Sequence, residues 1–141
     1  MTDVDALQRT LAAEHAAVFV LGALGGRAAN LPAPLLRADL SSAYDDHLER
    51  RNRLRTVIAA SGETPVAAEP AYRLPTPLST QEQIAAEALR VQRACVVTYG
   101  ALVAASEGAG RRWAVDAMAQ TALTEADFGG RPQALPGLHG G

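Results

Sequence analysis

A proline-rich stretch in the middle of the chain limits the possible folds more than any other feature. Four of the eight prolines fall within residues 62–78, at positions 65, 70, 75 and 77, and no helical period of apolar residues runs through them. Proline fixes φ and lacks a backbone N–H, so this stretch should be semi-extended. A connection of about 16 residues can run back along much of a helix of roughly 37 Å. The sequence therefore predicts two helical halves tied by a long crossover at 62–78.

Helical periodicity and Gly/Pro punctuation predict two helices on each side of this crossover. Short links join the helices within each half, so each half should be an antiparallel hairpin. Two hairpins joined by one long crossover have the topology of ferritin-like bundles. We expect an all-α, ferritin-like four-helix bundle that forms a single domain over residues 1–141. The expected helices are about 3–27, 34–61, 79–107 and 111–127, followed by a tail at 129–141.

The composition supports helices and argues against several kinds of partner. Alanine, the best helix former, is the commonest residue. The 13 basic residues are all arginine and are balanced by 15 acids, for a net charge of -2. This gives no electrostatic case for nucleic-acid binding. There is no apolar run of about 18 residues and no signal-peptide pattern, so we expect no membrane partner and a cytoplasmic location.

Two local predictions concern the third helix. Ser79, followed three positions later by Glu82, predicts a capping box at its start. Cys95 is the one cysteine of the chain and lies within an apolar helical stretch, so an internal disulfide and a cysteine-based zinc cluster are excluded. A buried, inert thiol is the favoured interpretation of this residue.

The first helix and the charged second helix also resemble a known family. Three features show the resemblance. The first is the alanine-rich run from Ala6 to Val18, which includes Glu14 and His15. The others are His47 with Arg50 and Arg51, and the proline-rich crossover. These features are similar to an alanine-rich ferritin-like domain of unknown function, found mainly in actinobacteria. The resemblance covers nearly the whole chain. It implies the ferritin-like fold and brings no settled activity.

The ferritin-like fold raises the question of a metal site. Di-iron members use a Glu from each of two helices and a Glu-x-x-His pair from each of the other two. Here Glu14 lies on the apolar seam of helix one, but His47 is preceded by Tyr44 where Glu is needed. On helix four, Asp116 is followed by Ala119 where His is needed. We therefore expect no metal cofactor and no stoichiometric Fe, Mn or Zn.

If one ion does bind, Glu14, His47 and Glu87 are its expected ligands, with His15 as a further candidate. Carboxylate and imidazole donors suit Fe or Mn. The alternative without metal is a buried polar cluster or pocket, in which Glu14 pairs with His47 or with Arg51 of the neighbouring helix. Its expected members are Glu14, Tyr44, His47, Arg51 and Glu87. The opposite face of helix two, which carries Arg50, is expected to be exposed to solvent.

Three functions remain open. The first is a non-enzymatic interaction or structural module, for which the small alanine side chains leave close-packing surfaces for a homodimer or another protein partner. The second is a small-molecule-binding protein or enzyme that uses the former metal cavity. The third is a metal-dependent oxidase or iron-handling protein, by analogy of fold. The incomplete set of metal ligands favours the first.

Overall fold

The structure, a computed structural model, describes residues 3–130. Within this range it contains four α-helices, a short 3-10 helix and no strand, which confirms the all-α prediction. Helix α3 is shorter at both ends than predicted, and α4 begins earlier, at a glycine. Residues 131–141 of the predicted tail lie outside the described residues. The helices are α1 Val4–Ala28, α2 Pro34–Ala60, α3 Gln81–Ala104 and α4 Gly108–Thr124, with the 3-10 helix at Glu125–Phe128.

The helix ends follow local rules, with one correction to the sequence prediction. The Asp3 carboxylate caps α1 by accepting a hydrogen bond from the backbone N–H of Asp5 (3.0 Å). At α3 the capping box is formed by Thr80 and Gln83, each bonding the other's backbone N–H, and not by Ser79 and Glu82. The two pairs have the same spacing and lie one residue apart, so the sequence pattern alone fits both.

The path of the chain follows from a few contacts between distant residues. The backbone N–H of Asp3, at the start of α1, donates to the carbonyl of Ala105, just after α3 (3.1 Å), so α1 and α3 are antiparallel. The crossover then runs along α1: the Gln8 amide bonds the backbone of Thr64 and Val66 (2.8 Å each), and farther along α1 Phe19 meets Tyr72. The four helices therefore run up, down, down and up, as two hairpins joined by a crossover the length of the bundle.

Helices α1 and α3 form the centre of the packing. Helix α1 lies against both α2 and α3, and α4 packs mainly on α3. Helices α2 and α4 have little contact, so the fourth side of the bundle is open. None of the helices described within residues 3–130 is long and apolar enough to cross a membrane. The largest fully buried apolar side chains are Leu11, Leu21, Leu24, Leu40, Leu54, Ile58, Ile84, Leu102 and the ring of Tyr99.

Candidate functional site

A buried carboxylate, Glu14, lies at the middle of the bundle with no exposed surface. Glu14 lies on the same buried face of α1 as Leu7, Leu11 and Leu21, and this face points into the core. Its Oε1 accepts a hydrogen bond from the hydroxyl of Tyr99 (2.8 Å), and its Oε2 lies 2.6 Å from Nδ1 of His47. Both oxygens thus have a donor, which a buried charge requires.

The imidazole of His47 connects three helices. It is fully buried on α2, and its Nδ1–H donates to the carboxylate on α1. Its other ring nitrogen, Nε2, faces the side-chain amide oxygen of Gln92 on α3 at 2.9 Å. Gln92 is also fully buried, and its amide nitrogen has no hydrogen-bond partner within residues 3–130. These contacts fix the ring plane and the relative heights of α1, α2 and α3.

Arg50 brings a cation to the same carboxylate. It follows His47 by three positions on α2 and is 7% exposed. Its Nε lies 3.5 Å from Oε1 of Glu14, and its Nη1 donates to the amide oxygen of Gln120 on α4 at 3.3 Å. The guanidinium carbon is 6.0 Å from the ring centroid of Tyr99. The positive charge thus offsets the charge of Glu14 from within the core.

The pKa values of two ionisable groups, the Cys95 thiol beside the cluster and the Tyr99 hydroxyl within it, are shifted toward their neutral forms. Burial, and to a lesser degree the charge of Glu14, raises the pKa of the Cys95 thiol well above its ordinary value of 9.0, although Arg50 opposes the shift. The same causes, in the same order, raise the pKa of Tyr99 above its ordinary value of 10.0. Tyr99 packs edge-on against the indole of Trp113, with ring centroids 5.8 Å apart.

The cluster does not fit the metal centre of ferritin-like proteins. Ligand atoms of Glu14, His47 and Cys95 lie within 4.8 Å of one another, the only such group of His, Cys, Asp and Glu residues within 3–130. However, the Arg50 guanidinium already accompanies the one carboxylate, and the thiol is disfavoured as a thiolate. A thiolate, not a thiol, is the metal-binding form. A di-iron centre also needs carboxylates from four helices.

Of the five residues predicted to line one cluster, the structure brings Glu14 and His47 together. Tyr44 lies half-buried over Gly22 of α1, where an added Cβ would approach its ring to 3.4 Å. The half-buried Arg51 bonds the side chain of Asn52 (3.1 Å). The buried Glu87 is paired with Arg90 on its own helix.

The predicted partner Arg51 is therefore corrected to Arg50. The buried positions of α2 are 40, 43, 47, 50, 54 and 58, a line that passes through Arg50 and leaves Arg51 at its edge. Residues three and four positions after His47 both share its helix face, so spacing alone does not distinguish Arg50 from Arg51, and the packing decides between them. Glu87 lies about 7.5 Å along α3 from the level of Gln92, by the rise of an α-helix.

An open groove lies beside the cluster, between α2 and α4. Its volume is about 590 Å³. Arg50 joins the two features, because it both pairs with Glu14 and lines the groove. None of the residues predicted to form a pocket lines this groove. The lining residues are Asp46, Glu49, Arg50 and Arg53 of α2, and Trp113, Asp116, Ala117, Ala119, Gln120 and Leu123 of α4.

Similar proteins give a family and a fold but no activity. Residues 6–140 match the model of a family described as a domain of unknown function (DUF4439). The chain is also similar to a crystal structure of a conserved hypothetical protein, rv2844, from Mycobacterium tuberculosis, with 27% sequence identity and a TM-score of 0.79. That alignment covers 88% of this chain and 92% of the other. Among curated proteins, none matches the sequence.

Proposed function

The chain belongs to this family of unknown function, and we propose that it is a ferritin-like, non-enzymatic interaction or structural module. In this proposal a buried polar network occupies the place where di-iron members of the fold hold their metal. The up, down, down, up path with one long crossover supports the ferritin-like assignment, because it separates these bundles from the up-down-up-down kind.

The contact of Arg50 with Glu14 is the observation that carries the proposal. A guanidinium at 3.5 Å supplies the positive charge that a metal ion would otherwise bring to this carboxylate. With Tyr99 and His47 also donating, Glu14 is engaged at both oxygens. Such a network holds helices in one register, and it loses stability when a partner is removed. Glu14 therefore has two donors and a counter-charge without a metal ion.

Elemental analysis of the purified protein tests this proposal. Expression in medium supplemented with iron, manganese and zinc should yield less than stoichiometric amounts of each. Two metal equivalents per chain, with oxygen-dependent turnover, would instead support the metal-dependent oxidase or iron-handling protein. The variant Glu14→Gln serves as the matched control, because any metal retained by both forms lies outside the cluster.

An interaction module needs a partner, which we propose to be a second copy or another protein in the cytoplasm. Leu35 and Leu123 are the positions at which to test it, because they are the most exposed large apolar side chains within residues 3–130, at 80% and 75%. Light scattering after size-exclusion chromatography at several concentrations should show self-association that Leu123→Asp or Leu35→Asp weakens. A strict monomer with no reproducible partner would count against this part of the proposal.

The second candidate is a small-molecule-binding protein, and the α2–α4 groove favours it. The predicted form of this candidate used the former metal cavity, but that interior is filled by Glu14, His47 and Gln92. The groove is a separate space, and its volume lies within the usual range of roughly 300–1,000 Å³ for ligand sites.

A further inference from the structure

We propose that the α2–α4 groove binds a small organic carboxylate with an apolar or aromatic body, and that Arg50 is its anion-binding residue. This goes beyond the metal-free module and develops the second candidate. It concerns the surface of Arg50 that faces the groove, whereas the proposed module depends on the contact of Arg50 with Glu14.

The hydrogen bonds of Arg50 leave it incompletely paired. An arginine side chain carries five N–H donors. Within residues 3–130, its Nε has no hydrogen-bond partner, since the 3.5 Å to Glu14 is an ion pair without hydrogen-bond geometry. Its Nη2 lies 3.5 Å from a nitrogen of His47 that itself donates to Glu14. A buried guanidinium with so few acceptors is destabilising, because its unsatisfied N–H groups have lost their bonds to water.

The remaining hydrogen bond of Arg50 marks where a carboxylate would lie. Its Nη1 reaches across the groove to the amide oxygen of Gln120 at 3.3 Å, a long hydrogen bond. Gln120 is exposed, so its side chain can turn toward solvent and leave that place to a ligand oxygen. A carboxylate there would gain a charge-assisted bond, which is shorter and stronger than the bond to a neutral amide.

The rest of the groove sets the size and charge of the ligand. Trp113, Ala117 and Leu123 give it an apolar wall, and the indole of Trp113 is held by Tyr99. Arg53 adds a second cation on the same face of α2. Three acids, Asp46, Glu49 and Asp116, also line the groove. They repel every anion, and this repulsion grows with each further negative charge on the ligand. The lining thus favours one carboxylate on an apolar body over a polyanion such as a nucleic acid.

Fluorescence of Trp113 gives a direct test, because it is the one tryptophan of the chain and it lines the groove. Phenylacetate should cause a saturable change in its emission. Phenylacetamide has nearly the same shape without the charge. It should bind at least about tenfold more weakly, as expected when a charge-assisted bond is lost. The absence of a saturable change, or equal binding of the acid and the amide, would overturn the proposal.

Variants separate the groove from the folded core. Ala119→Phe fills the groove from an exposed position and should abolish phenylacetate binding, whereas Ala38→Phe, exposed on α2 away from the groove, should leave it intact. Arg53→Gln should weaken binding several-fold, and Arg55→Gln, exposed and outside the lining, should not. If Ala119→Phe binds like the wild type, the groove is not the site. A negative outcome leaves the metal-free module untouched, since elemental analysis tests that separately.

Discussion

The carboxylate of Glu14 shows how neighbouring residues decide the chemistry of one side chain. An inward glutamate on α1 is compatible with a metal ligand and with a structural ion pair. Two hydrogen-bond donors, Tyr99 and His47, and one cation, Arg50, surround it here. The cation is decisive, since a metal ion would have to lie close to a guanidinium of the same charge sign.

Removal of the Tyr99 hydroxyl should measure what this network contributes. The change Tyr99→Phe keeps the ring but leaves Oε1 of Glu14 without its donor at 2.8 Å. We expect the free energy of unfolding to fall by about 1.5–3 kcal/mol, the usual range for hydrogen bonds to charged groups. Urea unfolding measures it. The control is Tyr72→Phe, whose hydroxyl accepts from the backbone N–H of Glu69 at an exposed site, with an expected change within about 0.5 kcal/mol.

The buried thiol and phenol should make the protein less stable in alkali. The folded-state pKa of Cys95 is raised well above 9.0, and that of Tyr99 is raised above 10.0. Above about pH 9 the unfolded chain releases the thiol proton while the folded chain keeps it. Stability is therefore complete below this pH and falls as the pH rises, by up to about 1.4 kcal/mol per pH unit for the thiol.

Denaturant unfolding of the wild type and of Cys95→Ala, at pH 7 and at about pH 10, tests this linkage. The substitution should lower stability at both pH values because it leaves a small cavity, yet it should also make the loss between them smaller. An equal loss in both proteins would show that the thiol does not contribute to it.

Sequence reasoning found part of the cluster because apolar neighbours revealed the inward face of α1. Glu14 interrupts a row of leucines, and His47 lies on a comparable row of α2. Arg50 was missed because arginine beside other charged residues indicates a solvent-exposed face. The predicted inward face of α2 includes Tyr44 and Arg51, whereas the structure buries Ala43 and Arg50. Gln92 was missed because a neutral amide has no chemical signature in sequence. Only its position beside His47 gives it a role.

At the scale of the helices, the start of α3 allows a direct comparison of two neighbouring residues. The Thr80 hydroxyl accepts from the backbone N–H of Gln83 (3.1 Å), so Thr80→Ala should lower the free energy of unfolding by about 1 kcal/mol. Ser79→Ala should cost less, because the Ser79 hydroxyl makes only a long bond to the Gln83 side chain (3.3 Å). Thermal or urea unfolding of both variants decides between them, and a larger effect at Ser79 would restore the predicted cap.

The crossover was predictable as a segment but not as a packed element. Prolines excluded a helix there, and the length of the segment required it to run along the bundle. Its attachment to α1 depends on Gln8 and His15, which bond backbone groups of residues 64 and 66. These bonds use carbonyl and N–H groups that any residue offers, so the amino acids of the crossover carry no sign of them. Such contacts become visible only once the chain path is known.

For the whole molecule, the Gly and Pro positions predicted the order and direction of the helices, but they did not predict the open side between α2 and α4. Gly and Pro positions and link lengths determine which helices form hairpins. The gap between α2 and α4 instead reflects what fills that side: α4 is the shortest of the four helices, and Ala117 and Ala119 leave space between its larger lining residues. Whether α2 and α4 meet depends on the summed volume of the side chains that face each other from the two helices. The periodicity of apolar residues along one helix does not give this volume.

The open side also predicts where the molecule is least stable. Helix α4 packs mainly on α3, whereas α1 is held by both α2 and α3, so local opening of α4 exposes less buried surface. Amide hydrogens of Gly108–Thr124 should therefore exchange faster than those of the central turns of α1 and α3. Hydrogen–deuterium exchange with mass spectrometry measures this directly.

Saturating phenylacetate should slow exchange in α4 and much less in α1, because a ligand between α2 and α4 supplies the contacts that this side lacks. Uniform protection of all four helices would instead mean that α4 opens only when the whole bundle unfolds, and that the weak contact between α2 and α4 has no energetic consequence.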